Sequence, residues 1–438
     1  MDGNNKKPSQ QQLNRLLELY QSGSIKDTEK LALSMTLQFP NHEFGWKVLG
    51  AVLGQTDRNY EALNANQTVV SLSPQDPATH YNLGITLKNL GRLEEAATSY
   101  RQAMVLKPDY AEAHNNLGVI LQELGGLEEA EKVYKEAITL KPNYADAFWN
   151  LSSCEKTIEA SENWIDRCLI ADPNHLKAKF TKAALRYYQG SRDSFDNLIK
   201  TNLNQHAYMR SFSWVFNLSH LPELHFNKWC FFDAVVKKSI ISRPFYEFGV
   251  WRASSFKYLI NVFKQGYGFD TFTGLPEDWD IKSHIEKKGT YSGDGVIPKI
   301  KGGNFIVGRF EDTLETFFSK IRPMASLINF DADLYSSTIC ALNFSKKVID
   351  KNTILVFDEF LMNESWEEDE YKSASKFIID ALGRLSEKKR GNVSSNLPTI
   401  NSPPLILGTF PSLVYEFFFS IWLPKFQSSG NPVNVSNP

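Results

Sequence analysis

The chain has 438 residues, of which 42% are hydrophobic and 22% charged, and its formal net charge is −2. That length accommodates roughly two or three domains, each able to bury a full core, and the balanced charge excludes the basic excess that draws a protein to nucleic acid or an anionic membrane. Four scattered cysteines (Cys154, Cys168, Cys230, Cys340) follow no metal or redox spacing and read as buried thiols of a reducing compartment.

Residues 1–12 are polar, without the apolar stretch of a signal peptide, and read as a flexible start to a cytoplasmic protein. From residue 13 a repeat takes over. Prolines stand at 40, 74, 108 and 142, with Gly50, Gly84 and Gly118 and with Ala62, Ala96 and Ala130 in the same register. Asn82, Asn116 and Asn150 keep step, each followed by leucine. This spacing resembles tetratricopeptide repeats. Glycine and alanine let the two helices of a unit approach, and each proline ends a second helix because it has no amide to donate. One helix pair cannot bury its apolar face alone, so the units are expected to stack into a solenoid. Leu13–Phe39 reads as a degenerate leading unit, and Ala145–Asn202 as irregular capping helices, so the helical array is placed at 13–202. Its concave surface is expected to bind a protein or peptide partner, or else to oligomerise or space the second domain.

From His206 the chain becomes rich in aromatic residues (Phe212, Trp214, Phe216, Trp229, Phe231, Phe232). Basic residues do not interleave with them, so they read as core and pocket wall rather than a base-stacking platform. Strands are then expected at Phe245–Phe248, Tyr267–Phe269, Phe305–Val307, Ala325–Phe330 and Thr353–Phe357. Helices are expected at Ser255–Lys264, Asp312–Lys320, Thr338–Asp350 and Asp369–Leu385. This alternation predicts an α/β domain over 206–388, a Rossmann-like, doubly wound and mostly parallel sheet. Glu247, Asp270, Asp331 and the pair Asp358-Glu359 lie on or next to strand ends and should share one cleft. Like charges gathered there call for a cation among them.

The turn after the first strand holds Gly249 alone, with Ala253 at a later glycine position, and so suits a pyrophosphate poorly. It suits S-adenosylmethionine, with Asp270 placed for the ribose hydroxyls and Ser254 and Ser255, at a helix start, for the methionine carboxylate. Asp331, Asp358 and Glu359 supply only oxygen donors, which favours Mg²⁺ or another hard divalent ion over zinc. Asp331 is thereby a candidate catalytic residue as well as a metal ligand.

Four stretches carry a family resemblance: Glu247-Phe-Gly-Val-Trp-Arg-Ala-Ser-Ser255, Gly268-Phe-Asp-Thr-Phe-Thr-Gly-Leu-Pro-Glu-Asp-Trp279, Asp331-Ala-Asp-Leu-Tyr-Ser-Ser-Thr338 and Phe357-Asp-Glu-Phe360. In this order they resemble the macrocin O-methyltransferase family, over about Arg210–Leu382. The resemblance implies a metal- and S-adenosylmethionine-dependent methyltransferase acting on a hydroxyl of a sugar or glycan-like molecule. It implies Glu247 and Gly249 beside the methionine moiety, Asp270 at the ribose, Phe310 (after Ile306-Val-Gly-Arg309) at the adenine, and Asp331, Asp358 and Glu359 on the metal. Asp333 is either a further ligand or a partner of its own loop's backbone. Segment 274–293 would be a lid, with His284 a candidate general base or simply a solvated lid residue.

Residues 389–438 form an atypical tail. Pro404–Pro424 is apolar apart from Glu416, yet Gly408 and Pro411 interrupt it, so it reads as an altered C-terminus rather than a membrane anchor. Two other functions compete: a non-catalytic repeat scaffold with a degenerate second domain, and a glycosyltransferase using Asp331-Ala-Asp333.

Overall fold

A computed structural model describes residues 7–218, 221–282, 285–293, 295–358, 364–365, 367–369, 371–376 and 420–422. The chain divides into two compact units between Ala178 and Lys179. The first is a run of helix pairs: α1 and α2 (Gln10–Gln21, Ile25–Gln38), α3 and α4 (Glu43–Gln55, Asn59–Leu72), α5 and α6 (Pro77–Asn89, Leu93–Leu106), α7 and α8 (Ala111–Glu123, Leu127–Leu140), α9 and α10 (Ala145–Ser152, Ile158–Ala171). Pro40, Pro74, Pro108 and Pro142 each fall just past the second helix of a pair, as their missing amides require. The glycines mark true close approaches. A Cβ on Gly84 would lie 2.7 Å from the Tyr100 ring, and one on Gly118 2.5 Å from that of Tyr134. Buried amides link successive pairs: Asn116 Nδ2 donates to the Tyr81 hydroxyl (3.2 Å) and Asn150 Nδ2 to Asn115 Oδ1 (2.9 Å). These bonds satisfy groups that would otherwise be costly to bury, and they fix the stacking register.

Helix α11 (Leu176–Tyr188) spans the division. The second unit continues with α12 (Asp193–Ile199), α13 (Ala207–Phe216) and α14 (Lys228–Lys238). Phe212, Trp229, Phe231 and Phe232 are buried here, so these members of the aromatic run are core. A five-stranded sheet follows: β1 Phe245–Phe248, β2 Gly266–Asp270, β3 Gly303–Val307, β4 Leu327–Phe330 and β5 Ile354–Phe357. All neighbours are parallel, in the order β3-β2-β1-β4-β5. Helix α15 (Ser254–Phe263) joins β1 to β2, α16 (Phe310–Phe318) joins β3 to β4, and α17 (Tyr335–Ser345) leads to β5.

Side chains alternate between the two faces. Tyr246, Phe248, Tyr267, Phe269, Ile328 and Phe330 form one apolar cluster with Phe317, Phe318, Ala341 and Leu342 of α16 and α17. On the other face Phe245 packs on Phe256 and Phe263 of α15, at 4.7 and 5.7 Å between ring centres. A row of stacked rings crosses four strands just below their carboxyl ends: Phe269 to Phe248 at 4.6 Å, Phe248 to Phe330 at 5.4 Å, Phe330 to Phe357 at 4.9 Å. Ser420–Trp422, inside the stretch read as an altered tail, pairs in parallel with Glu223–His225. Among the described residues no helix is long and apolar enough to cross a membrane.

Candidate active site

Strand register fixes what meets at the carboxyl edge. Phe248 lies opposite Phe269 on one side and Phe330 on the other, and Phe330 lies opposite Phe357. One residue further, Asp270, Gly249, Asp331 and Asp358 therefore stand in a row across β2, β1, β4 and β5. The strand order reverses between β1 and β4, and crevices at such switch points are where open α/β sheets hold ligands. Gly249 borders that point. Its φ is +85°, and a Cβ there would sit 1.7 Å from the Asp331 carbonyl oxygen, so only glycine fits.

Asp270 is already engaged. Its Oδ2 accepts the amides of Val250 and Trp251, both at 2.7 Å, and its Oδ1 accepts that of Phe272 at 2.5 Å. The carboxylate thus clamps the turn after β1, including Trp251 at φ 46°, to the end of β2. Three charge-assisted bonds of this kind make a rigid corner, and further donors would have to share its remaining lone pairs.

Glu247 faces inward from its strand. It lies inside β1, opposite Gly268 and Asn329, one residue before the end, and it is fully buried. Its Oε1 accepts the Ser255 hydroxyl and Asn329 Nδ2 (3.1 Å), and its Oε2 has no partner among the described residues. Burial pushes this carboxyl up to about 8, against the pull of Ser255, Asn329 and the Lys228 charge. The Ser255 hydroxyl is thereby engaged with Glu247. Ser254 opens α15 behind Ala253, which is left-handed (φ 63°) and offers no side-chain cap.

Next to Gly249 in the row, burial and then the charges of Asp358, Asp333 and Glu247 raise the Asp331 carboxyl well above the usual range, with Lys228 opposing. Asp331 retains some exposed surface as a residue, but its carboxyl faces other carboxylates, which adds to the rise. Asp333 has φ 56° in the loop leading to α17. Lys228, first residue of α14, is the cation that acts on both Glu247 and Asp331. Sequence reasoning called for a cation here but did not find this one, because nothing local marks a lysine ahead of β1 as facing its far end. Phe310 is 8% exposed and packs edge-on against Phe248 at 5.6 Å, so its ring belongs to the apolar floor. Glu359 and His284 lie outside the described residues. Among those described, no group of three or more His, Cys, Asp or Glu has metal-holding geometry.

The described parts of segment 274–293 pack beside this edge. Trp279–Asp280 pairs antiparallel with Ile285–Glu286, and Leu275 and Trp279 pack on Leu334 of the β4–α17 loop. Trp251 Nε1 donates to the Ser292 carbonyl at 3.2 Å, and Ser336 Oγ to Glu277 at 2.6 Å.

Family models described as TPR repeat and tetratricopeptide repeat match residues 87–125 and 111–144. No curated protein matches the chain. Among solved structures, YrrB, a TPR protein described as having an unusual peptide-binding site, is 20% identical, covering 41% of this chain and 93% of its own with a TM-score of 0.35. PilF of Pseudomonas aeruginosa is 14% identical (46% and 95% covered, TM-score 0.42). A thermophilic TPR protein of Thermus thermophilus is 19% identical (41% and 98%, TM-score 0.34). The N-terminal part of the chain is a helical solenoid of tetratricopeptide repeats.

Proposed function

We propose that the second unit is an S-adenosylmethionine-dependent O-methyltransferase acting on a hydroxyl of a sugar or glycan-like substrate, and that the repeats recruit a protein or peptide partner to it. The observation that carries the reading is the β1–β4 switch point, where the Gly249 turn, pinned by Asp270, adjoins Asp331. A pinned glycine turn beside a carboxylate row suits a phosphate-free nucleoside bearing a cationic sulfonium and an amino-acid tail better than a pyrophosphate.

In this reading the corner made by Asp270 presents the backbone of 249–251 to the cofactor and keeps one carboxylate near its ribose. Asp331 and Asp358, adjacent and mutually repelling, are suitable oxygen donors for a hard divalent ion, which would lower the pKa of the acceptor hydroxyl. Segment 274–293, packed on Leu334, would keep water from the transferring methyl group. Lys228 would hold the charge of the acidic row in balance when no substrate is bound.

Calorimetric titration of the whole chain with S-adenosylhomocysteine tests the proposal. Saturable binding that Asp270→Asn weakens at least about tenfold is expected. A folded wild-type chain that takes up none would leave the repeats as the functional part. That second reading, an interaction scaffold, draws support from the repeat matches over 87–144.

A further inference from the structure

We infer that the second unit has a site for a small phosphate ester, one strand away from the switch point. A cavity of about 320 Å³ opens beyond the ends of β2 and β3, walled by Thr271, Thr273, Lys288, Gly289, Gly308 and Arg309, with Leu275 and Pro276 at its side. Its size is at the small end of ligand pockets. The lining contains two cations, two hydroxyls and no carboxylate, although the chain as a whole is slightly acidic.

The walls are held in place by bonds of their own. Leu275 and Thr290 are joined through backbone (2.8 Å), as are Gly289 and Leu275 (3.0 Å), and a Cβ on Gly274 would lie 2.2 Å from the Gly289 carbonyl oxygen. On the opposite side Gly308 donates to the Asp270 carbonyl at 3.0 Å, and Arg309 Nη2 bonds the Pro276 carbonyl at 3.0 Å. Preformed walls spare a ligand the cost of ordering them.

The cations are available. The nearby carboxylate of Asp278 is held below its ordinary range by the Lys288 backbone amide at 2.8 Å and then by the Lys287 ammonium at 2.9 Å. Lys288 itself makes no ion pair among the described residues. Arg309 Nη1 pairs with Glu311 at 3.2 Å, on an exposed surface. Such a pair contributes little and can be exchanged for a better anion. A guanidinium, an ammonium and hydroxyl donors around one small space match a phosphate dianion in charge and geometry. The apolar side at Leu275 and Pro276 leaves room for the carbon skeleton that bears it. This inference does not rest on methyl transfer.

The test is calorimetry on the full chain with ribose 5-phosphate, ribose and inorganic phosphate. Saturable binding of ribose 5-phosphate, competition by inorganic phosphate, and binding of ribose weaker by about tenfold or more are expected. Lys288→Gln and Arg309→Gln should each weaken ribose 5-phosphate by about tenfold. Lys288 is exposed, so its substitution keeps the fold, and a thermal melt verifies this. Equal binding of ribose and its phosphate, no saturation by ribose 5-phosphate at millimolar concentration, or full binding by both variants would each overturn the assignment.

Discussion

Replacing Gly249 with alanine probes the switch point directly. The new Cβ would lie 1.7 Å from the Asp331 carbonyl oxygen and 2.6 Å from its carbon. Ordinary contact needs about 3.5 Å, so β1 or β4 must retreat by nearly the whole of the difference. Both are inner strands, hydrogen-bonded on either side, and cannot yield freely. A left-handed φ costs a residue with a Cβ about 1 to 2 kcal/mol, and forced overpacking typically adds about 1 to 3 kcal/mol. The expected loss is about 2 to 5 kcal/mol. Gly190→Ala is the matched control, since its φ is +91° and nothing lies within 4 Å of the added atom. It should lose only the first part. Urea unfolding read by hydrogen exchange in peptides from 245–263 and 323–345 reports on this unit alone. Equal losses in the two variants, within about 0.5 kcal/mol, would refute the close approach.

Burial of Glu247 makes a pH prediction. Its carboxyl is raised from 4.5 to about 8 in the folded chain, so the folded state holds a proton that the unfolded state releases. Stability should therefore be unaffected by this group below about pH 4.5, decline as pH rises toward 8, and level off above it, by an amount on the order of a few kcal/mol. Glu247→Gln should flatten that slope in urea titrations run across the range; an unchanged slope would count against the buried acid. In the repeats, Gly118→Ala should destabilise by about 1 to 3 kcal/mol because the Tyr134 ring stands in the way. Gly54→Ala, with nothing within 4 Å, should stabilise by about 0.5 to 1 kcal/mol; thermal melts compare the two. Asn150→Ala strands the buried Asn115 Oδ1 and should cost about 1 to 3 kcal/mol, and a loss no larger than that seen for an exposed asparagine such as Asn64 would argue against the inter-repeat ladder.

The repeats were legible because each signal is local: a proline past every second helix and a glycine facing a side chain of its pair's second helix, both recurring in one register. The strands were nearly as plain, since short apolar runs bounded by glycine and acid leave little choice, and Phe245–Phe248 falls at the expected bounds. Helix α16 starts two residues before its expected position because Phe310 is drawn into the floor beneath Phe248. What sequence could not give were meetings between distant segments. That Asp270 serves the amides of Val250 and Trp251, that Glu247 faces inward to Ser255 and Asn329, and that Lys228 answers Asp331 all depend on strand order and helix placement. A strand's end is readable to one residue, and one residue decides whether a carboxyl faces the cleft or the core.

The corner at Asp270 also bears on the order in which the sheet assembles. Val250 and Asp270 are 20 residues apart, whereas Glu247 and Asn329, bonded across β1 and β4, are 82 apart. Closing the longer loop costs about 1 kcal/mol more entropy, and it must await the segment that includes β3 and α16. The β1–α15–β2 unit, with its three amide bonds to one carboxylate, can thus form as an early nucleus. The arrival of β4 beside Gly249 comes late. A nascent chain would acquire the stiff half of its crevice well before the half that carries Asp331, so slow phases in refolding should report on the completion of the crevice rather than on its first wall.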